Sequence, residues 1–378
     1  GAGVWLMLDL CVGFTMRPTM LPRAYQRAVD GISRSRGVQS LMGQASQSAT
    51  KGTQVWNGIG ELANRYDAFL IDQWGVMHDG KKSLWRSSRM HEAIASPYVE
   101  KIAEMGKKIF LLSNSSRRKG NSLNKIDGMG FHSASILDLI TSGEVGWQCL
   151  SQRPAGTPFE SLGNKVFVFG NGEEDEQYVT SAGLEFADIE DADFVLARGL
   201  FTMHGLSEVL QREGPNKYEA WDMEARSCLQ IAANRLLPMV VTNPDFVRPD
   251  GKDSPMPGKL AAMYESMLMA QLCGERKVTY VGKPHSLVYE QAFQRLKEVS
   301  GDVDRSRVCA IGDSILHDIA GAHRTGIDSI FIADGIHAEF LGLQQGKPGQ
   351  SLEQVDIEHL SRELSALPPT HAVPHFQW

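Results

Sequence analysis

From Tyr66 onward, short apolar runs alternate with helical stretches, and each run breaks off into a polar loop. That alternation is the pattern of a parallel sheet whose strands are joined by crossover helices, so the chain reads as α/β. Ala68 to Ile71 reads as a buried strand, His91 to Lys107 as an amphipathic helix and Lys108 to Leu112 as the next strand. Ligands of open parallel sheets bind beyond the carboxyl ends of the strands. The loops to watch are therefore Asp72-Gln73-Trp74-Gly75 and Ser113-Asn114-Ser115-Ser116-Arg117.

A helix near Leu139 to Leu150 is followed by Ser151 to Gly163, a stretch rich in Pro, Gly and Ser that reads as a linker. A second alternation then begins. Strands are expected at Val166–Phe169, Phe194–Leu196 and Met239–Thr242, with a helix from about Tyr218 to Asn234 between the last two. The first pattern resumes with strand Val278–Val281, helix Leu287–Val299, strand Val308–Ile311, helix Leu316–Thr325 and strand Ser329–Ile332. The core is thus interrupted by an inserted unit, which suits a chain of 378 residues. The expected division is a leader over residues 1–53, core over 54–145, an inserted unit over 146–279, core again over 280–345, and a tail over 346–378 that carries Pro368, Pro369 and Pro374.

Apolar residues at 42% and charged residues at 22% fit an ordinary globular protein, and no apolar run is long enough to span a bilayer. A net charge of -7 gives no electrostatic footprint for nucleic acid or an acidic membrane surface, so small-molecule partners are expected and neither nucleic acid nor membrane is. Assembly into a homo-oligomer is left open. The five cysteines, Cys11, Cys149, Cys228, Cys273 and Cys309, lie far apart and include no C-x-x-C pair, which fits a reducing compartment. Met16 to Lys51 carries several arginines and many Ser, Gly and Gln, with Asp30 as its one acid. That composition suits a transit segment or a poorly ordered leader. The expected location is cytoplasmic, or organellar if the leader is a transit segment.

Four strand ends of the core carry Asp72, Ser113 with Asn114, Lys283, and Asp313 with Asp318. Taken singly, each has a plain structural reading as a helix cap, a turn or the first turn of a helix. Together they meet the needs of phosphoryl transfer through an aspartyl-phosphate: one carboxylate attacks, others hold a divalent cation, and donors neutralise the group in transit. Mg2+ takes oxygen ligands and keeps several waters, so Asp72, Asp313 and a backbone carbonyl are enough protein for it. Lys283 is expected to offer a point charge to phosphate and nucleophile, and Ser113 and Asn114 to donate hydrogen bonds to phosphate oxygens.

Asp72-Gln73-Trp74-Gly75-Val76-Met77-His78-Asp79-Gly80, Ser113-Asn114, Gly282-Lys283-Pro284 and Gly312-Asp313 through Asp318 resemble the four signature motifs of haloacid dehalogenase-like hydrolases. Val241-Thr242-Asn243-Pro244-Asp245 is similar to a stretch in the inserted cap of the class IIA, NagD-like phosphatases. The resemblance implies a three-layer α/β/α, Rossmann-like parallel-sheet core with an inserted α/β cap that closes over the sheet and selects substrate. It implies Asp72 as nucleophile and metal ligand, the Trp74 carbonyl, Asp313 and Asp318 around Mg2+, and Ser113 and Lys283 on the phosphate. Asn243 and Asp245 are the implied cap contacts to a small phosphorylated metabolite.

The sequence departs from that family at one position. Its phosphatases carry an aspartate two residues after the nucleophile as general acid, and here the residue is Trp74. An indole offers no useful proton near neutral pH, and general acid–base catalysis contributes about 10²–10⁴-fold, roughly 3–5 kcal/mol of barrier. Either another group serves, with His78 the candidate, or the substrate has a good leaving group, or the protein binds a phosphate ligand without turning it over. A dehalogenase is disfavoured, since it would leave the second acidic motif without a role. Arg117 and Arg118 are candidate anion contacts, the acidic run Glu173–Glu176 reads as a solvated helix turn, and His285 and His317 read as surface or capping residues.

Overall fold

The computed structural model describes residues 52–78, 84, 97–120, 122–172, 174–203, 217–246, 256–269, 277–347 and 349–378. The expected leader lies almost wholly outside the described residues, as do Asp79 and the start of the helix expected from His91. In chain order, β1 (Gln54–Val55), α1 (Gly60–Ala63) and β2 (Ala68–Ile71) lead to α2 (Pro97–Glu104), β3 (Lys108–Ser113), α3 (Ser122–Gly128), β4 (Asp138–Thr141) and α4 (Ser142–Gln152). A second stretch holds β5 (Lys165–Gly170), α5 (Asp175–Ser181), β6 (Glu185–Phe186), β7 (Phe194–Ala197), β8 (Thr202–Met203), α6 (Lys217–Asn234), β9 (Met239–Val241), α7 (Pro257–Met269) and β10 (Val278–Tyr280). The chain then runs through α8 (Ser286–Ser300), β11 (Val308–Gly312), α9 (Ala320–Thr325), β12 (Asp328–Ile332), α10 (Gln354–Glu363) and β13 (His371–Val373).

Seven parallel strands form the first sheet in the order β1-β13-β12-β11-β2-β3-β4. Its two central strands β2 and β11 carry no charged residue, as strands covered on both faces require. Phe69, Ile71, Ile109, Leu111, Cys309 and Ile311 enter one buried cluster, and Ala68, Leu70, Phe110, Leu112, Val308 and Ala310 enter another. From β2 the chain builds outward to β3 and β4, then returns to build β11, β12 and β13 on the other flank. The direction therefore reverses between β2 and β11, which opens a crevice at their carboxyl ends.

The second sheet has the parallel order β10-β9-β7-β5-β6, with β8 antiparallel to β5. One of its faces, with Phe167, Phe169, Val195 and Val241, packs in a cluster with Trp221 and Leu229 of α6 and Leu260 and Tyr264 of α7. The opposite face, with Val166, Val168, Phe194, Leu196 and Val240, belongs to the same cluster as Leu70, Phe110 and Ala310 of the first sheet, with α4 and α8 contributing Val145, Val288 and Leu296. The two sheets thus share one continuous apolar core.

Several expectations change. The stretch read as a proline-rich tail is structural: α10 buries Ile357 and Leu360, and β13 lies between β1 and β12 with Ala372 and Val373 fully buried. The prolines flank the strand rather than fall within it. Leu139 to Thr141 is strand and not helix; α4 starts at Ser142 because Thr141 caps it, its hydroxyl accepting from Glu144 N at 3.1 Å. Val278–Tyr280 is the edge of the second sheet and does not rejoin the first. The helix expected over Leu316–Thr325 opens as a π turn, Ile315–Ile319, before α9. Within the acidic run, Glu174 and Glu176 are exposed but Asp175 is buried in an ion pair with Arg198, itself 1% exposed.

Candidate active site

Asp72 follows β2, and its backbone N–H donates to the Ile311 carbonyl of β11 at 2.8 Å, which fixes it at the lip of the crevice. The next residues turn back sharply. Met77 N and His78 N both donate to the Gln73 carbonyl, at 2.8 and 3.2 Å, and Gly75 N donates to the His78 carbonyl at 3.0 Å. Gly75 has a φ of +83°, and a Cβ on it would fall 2.0 Å from Asp313 Oδ2. Only glycine meets both demands.

Lys283, 3% exposed, reaches across the crevice. Its Nζ donates to Asp72 Oδ1 at 2.5 Å and to Asp318 Oδ1 at 2.7 Å. Asp318 is carried by the π turn, a local irregularity that often marks functional positions in helices. Its Oδ2 accepts from Ser314 N at 3.1 Å, and the turn brings its carboxyl so close to Gly312 that a Cβ there would sit 2.1 Å away. Asp313 lies opposite, Oδ2 accepting from Ile336 N at 2.9 Å. Asp72, Asp313 and Asp318 each offer a carboxylate oxygen within 4.8 Å of the others.

The charges do not balance. Burial pushes the Asp72 carboxyl up to about 7, with Lys283 pulling it down and Asp318 adding to the rise. Burial, then Asp72 and Asp318, hold Asp313 well above the usual carboxylate range. Burial opposes the Lys283 ammonium, yet Asp318 and Asp72 more than offset it and hold its pKa above that of an ordinary lysine. Three carboxylates share one ammonium in a site shielded from water, so a divalent cation with oxygen preference fits the donor set on both charge and chemistry.

Ser113 ends β3, and its Oγ accepts from Ser115 N at 3.2 Å, so the hydroxyl proton is not the one used in that bond. Asn114 behaves otherwise than expected. Its Nδ2 donates to Asp245 Oδ1 at 2.7 Å and to the Lys283 carbonyl at 3.1 Å, while its Oδ1 accepts from Lys283 N at 2.6 Å. An amide has two N–H protons, and both are used within the protein, so the side chain as it stands has no proton turned toward a phosphate. Asp245 and Asn243 lie beyond β9, where Asp245 N donates to Asn243 Oδ1 at 3.0 Å.

His78 is buried, its ring edge-on to Trp74 with 6.0 Å between centroids. His317 is closer to the site than its sequence position suggested. Its Nδ1 lies 2.9 Å from Ser314 Oγ and its Nε2 3.5 Å from Asp245 Oδ1. His285 stacks on Tyr280 at 4.8 Å. Arg118 is taken up by Glu144, at 3.0 and 3.1 Å, and lies over the Trp147 ring, whereas Arg117 is exposed. Sequence reasoning named Gly75 without a role and missed the Ile336 N–H; the only signal for Ile336 was its place just beyond the end of β12.

A family model described as haloacid dehalogenase-like hydrolase matches residues 69–185, and one described as HAD-hydrolase-like matches residues 280–355. Human chronophin is 27% identical over 264 residues, which cover 69% of this chain and 81% of the relative. The acid sugar phosphatase of Staphylococcus saprophyticus is 22% identical over 271 residues, covering 72% and 88%. Among solved structures, a haloacid dehalogenase-like hydrolase from Brucella suis aligns with a TM-score of 0.60 at 24% identity, over 85% of this chain and all of that one. NagD from E. coli K-12 aligns with a TM-score of 0.52 at 21% identity, over 82% and 96%. At these identities the structural likenesses establish the fold. Among the described residues, no helix is long and apolar enough to cross a membrane.

Proposed function

We propose that this chain, a haloacid dehalogenase-like hydrolase, is a Mg2+-dependent phosphohydrolase of the NagD-like type that acts on a small phosphorylated metabolite with Asp72 as nucleophile. The observation that carries this reading is the meeting of Asp72, Lys283, Asp313 and Asp318 at the reversal of strand order. The names of the relatives, chronophin and acid sugar phosphatase among them, support a phosphatase and leave the substrate as a class.

Asp72, Asp313, Asp318 and the Trp74 carbonyl would hold the Mg2+, which when bound supplies positive charge to the phosphoryl oxygens and keeps the carboxylates ionised. Asp72 attacks phosphorus in line with the leaving oxygen; the P–O bond to that oxygen breaks as the bond to the carboxylate forms. Lys283 neutralises charge on the group in transit, and Ser113 donates its hydroxyl proton to a phosphoryl oxygen. The leaving oxygen takes its proton from His78, or needs none if it is an acyl or aryl oxygen. Water then attacks the phosphorus of the aspartyl-phosphate, releasing inorganic phosphate and regenerating Asp72.

Trp74 favours a second reading, a phosphate-ligand binding or regulatory protein that has lost turnover. Phosphate release from acetyl phosphate, p-nitrophenyl phosphate and several alkyl phosphates, with and without Mg2+ and with Asp72→Asn as control, decides between them. Release that requires both the metal and Asp72 is expected. Intact phosphate binding without release on any substrate would favour the second reading.

A further inference from the structure

Asp245 was expected to touch substrate, yet its carboxylate is engaged elsewhere. Its Oδ1 accepts from Asn114 Nδ2 at 2.7 Å, and His317 Nε2 lies 3.5 Å from the same oxygen. Asn114 is 8% exposed and fully committed: one side-chain proton goes to Asp245, the other to the Lys283 carbonyl, and the side-chain oxygen receives Lys283 N. The orientation of the amide is therefore unambiguous, since its oxygen faces a donor and its nitrogen faces two acceptors. Beyond that clamp, the Lys283 ammonium touches Asp72 and Asp318. The segment bearing Asp245 is itself wedged in place. A Cβ on Gly282 would lie 2.6 Å from Pro244 Cδ, and one on Gly258 would lie 2.1 Å from the Pro244 carbonyl oxygen.

We infer that Asp245 is a positioning residue: from the end of β9 in the second sheet it holds the Asn114 amide, Asn114 holds the Lys283 backbone, and Lys283 is thereby aimed at Asp72. The inference rests on the phosphohydrolase reading and adds a role for the second sheet, which braces the phosphate site as well as bordering it. A carboxylate makes the brace strong because a hydrogen bond to an ionised acceptor is stronger than one to a neutral acceptor. The same loop is held a second time, two residues on, where Asn171 Nδ2 donates to Ser116 Oγ at 2.7 Å and Arg198 Nη2 donates to the Ser116 carbonyl at 3.2 Å.

The test compares Asp245→Ala, which removes the acceptor, with Asp245→Asn, which keeps an oxygen for Asn114. Asp245→Ser, with an acceptor too short to reach, replaces the alanine variant should that one fail to fold. Misplacing Lys283 should lower kcat/KM by roughly 10- to 100-fold, by the same factor for acetyl phosphate as for bulkier phosphates. Inorganic phosphate, titrated calorimetrically in Mg2+, should bind more weakly to Asp245→Ala, and Asp245→Asn should recover most of both losses. A loss confined to bulky substrates, with phosphate affinity unchanged, would make Asp245 a substrate contact and overturn the inference. A fall in Tm with unchanged kinetics and phosphate affinity would overturn it equally. Phosphate affinity decides the point even if the wild type binds phosphate without turnover, a result that sinks the phosphohydrolase reading alone. A wild type that neither binds phosphate nor releases it overturns both.

Discussion

The Lys283 ammonium lies 2.5 Å from Asp72 and 2.7 Å from Asp318, so one cation joins the proposed nucleophile to a carboxylate on the far side of the crevice. Lys283→Met keeps the length of the stem and removes the charge, leaving three carboxylates together in a shielded site. Removing one partner of a buried pair costs roughly 3–5 kcal/mol. The variant should show a lower Tm and turn over at least about 10²-fold more slowly. Lys283→Arg should recover stability in part but little rate, because a planar fork does not replace a point charge between two oxygens. Wild-type kcat in Lys283→Met would contradict this.

Gly75 combines a φ of +83° with no room for a Cβ against Asp313 Oδ2. Gly75→Ala should therefore displace Asp313 and weaken the proposed metal site. The expected result is a Mg2+ requirement raised by about tenfold or more at half-maximal activity, seen in Mg2+ titrations of phosphate release, with a smaller effect on folding than on activity. An unchanged Mg2+ titration would separate Gly75 from the metal site.

Trp74 stands where the related phosphatases carry their acid. If His78 serves in its place, His78→Ala should slow alkyl phosphates far more than p-nitrophenyl phosphate, within the roughly 10²–10⁴-fold range of general acid catalysis. Equal losses on both would sink that role. Trp74→Asp should raise turnover of alkyl phosphates relative to p-nitrophenyl phosphate if the natural site lacks an acid, which a two-substrate rate ratio measures.

His371 gives the fold an acid sensitivity. Trp56 Nε1, a donor only, points at His371 Nδ1 from 3.2 Å, so the ring proton sits on Nε2, 2.9 Å from the Tyr66 hydroxyl, which in turn donates to Asp328 at 2.8 Å. Burial lowers the His371 pKa from 6.5 to about 4, with Asp328 opposing and Arg65 assisting. The unfolded chain binds this proton first, so the stabilisation is complete above pH 6.5 and is lost as pH falls through about 4, amounting to up to about 3 kcal/mol. Denaturant unfolding at pH 7 and pH 4 should show a smaller pH-dependent loss in His371→Gln than in the wild type. Equal losses would contradict the assignment.

The meeting of the candidate side chains was legible because a strand end can be read from sequence: an apolar run that stops at Asp72, Ser113 or Asp313 stops at the carboxyl edge of the sheet. What escaped were properties that only tertiary contacts decide. Val278–Tyr280 reads the same as an edge strand of either sheet, and three residues between prolines gave no hint that β13 would be an interior strand. Asp175 looked solvated because Arg198, the residue that buries it, lies 23 positions away. Asn114 could be assigned to the site from sequence but its function could not, since its partners Asp245 and Lys283 are 131 and 169 residues distant. The π turn was likewise hidden, because a helical pattern over Leu316–Thr325 does not report where the ladder slips by one residue.

In the proposed mechanism Asp72 carries the phosphoryl group between the two steps. Rapid acid quench during turnover of acetyl phosphate or p-nitrophenyl phosphate in Mg2+, followed by proteolysis and mass spectrometry, tests it directly. The prediction is one phosphoryl group on the peptide bearing Asp72, absent without Mg2+ and absent in Asp72→Asn. Phosphate release at full rate from Asp72→Asn, or a phosphoryl group trapped on a different residue, would contradict it.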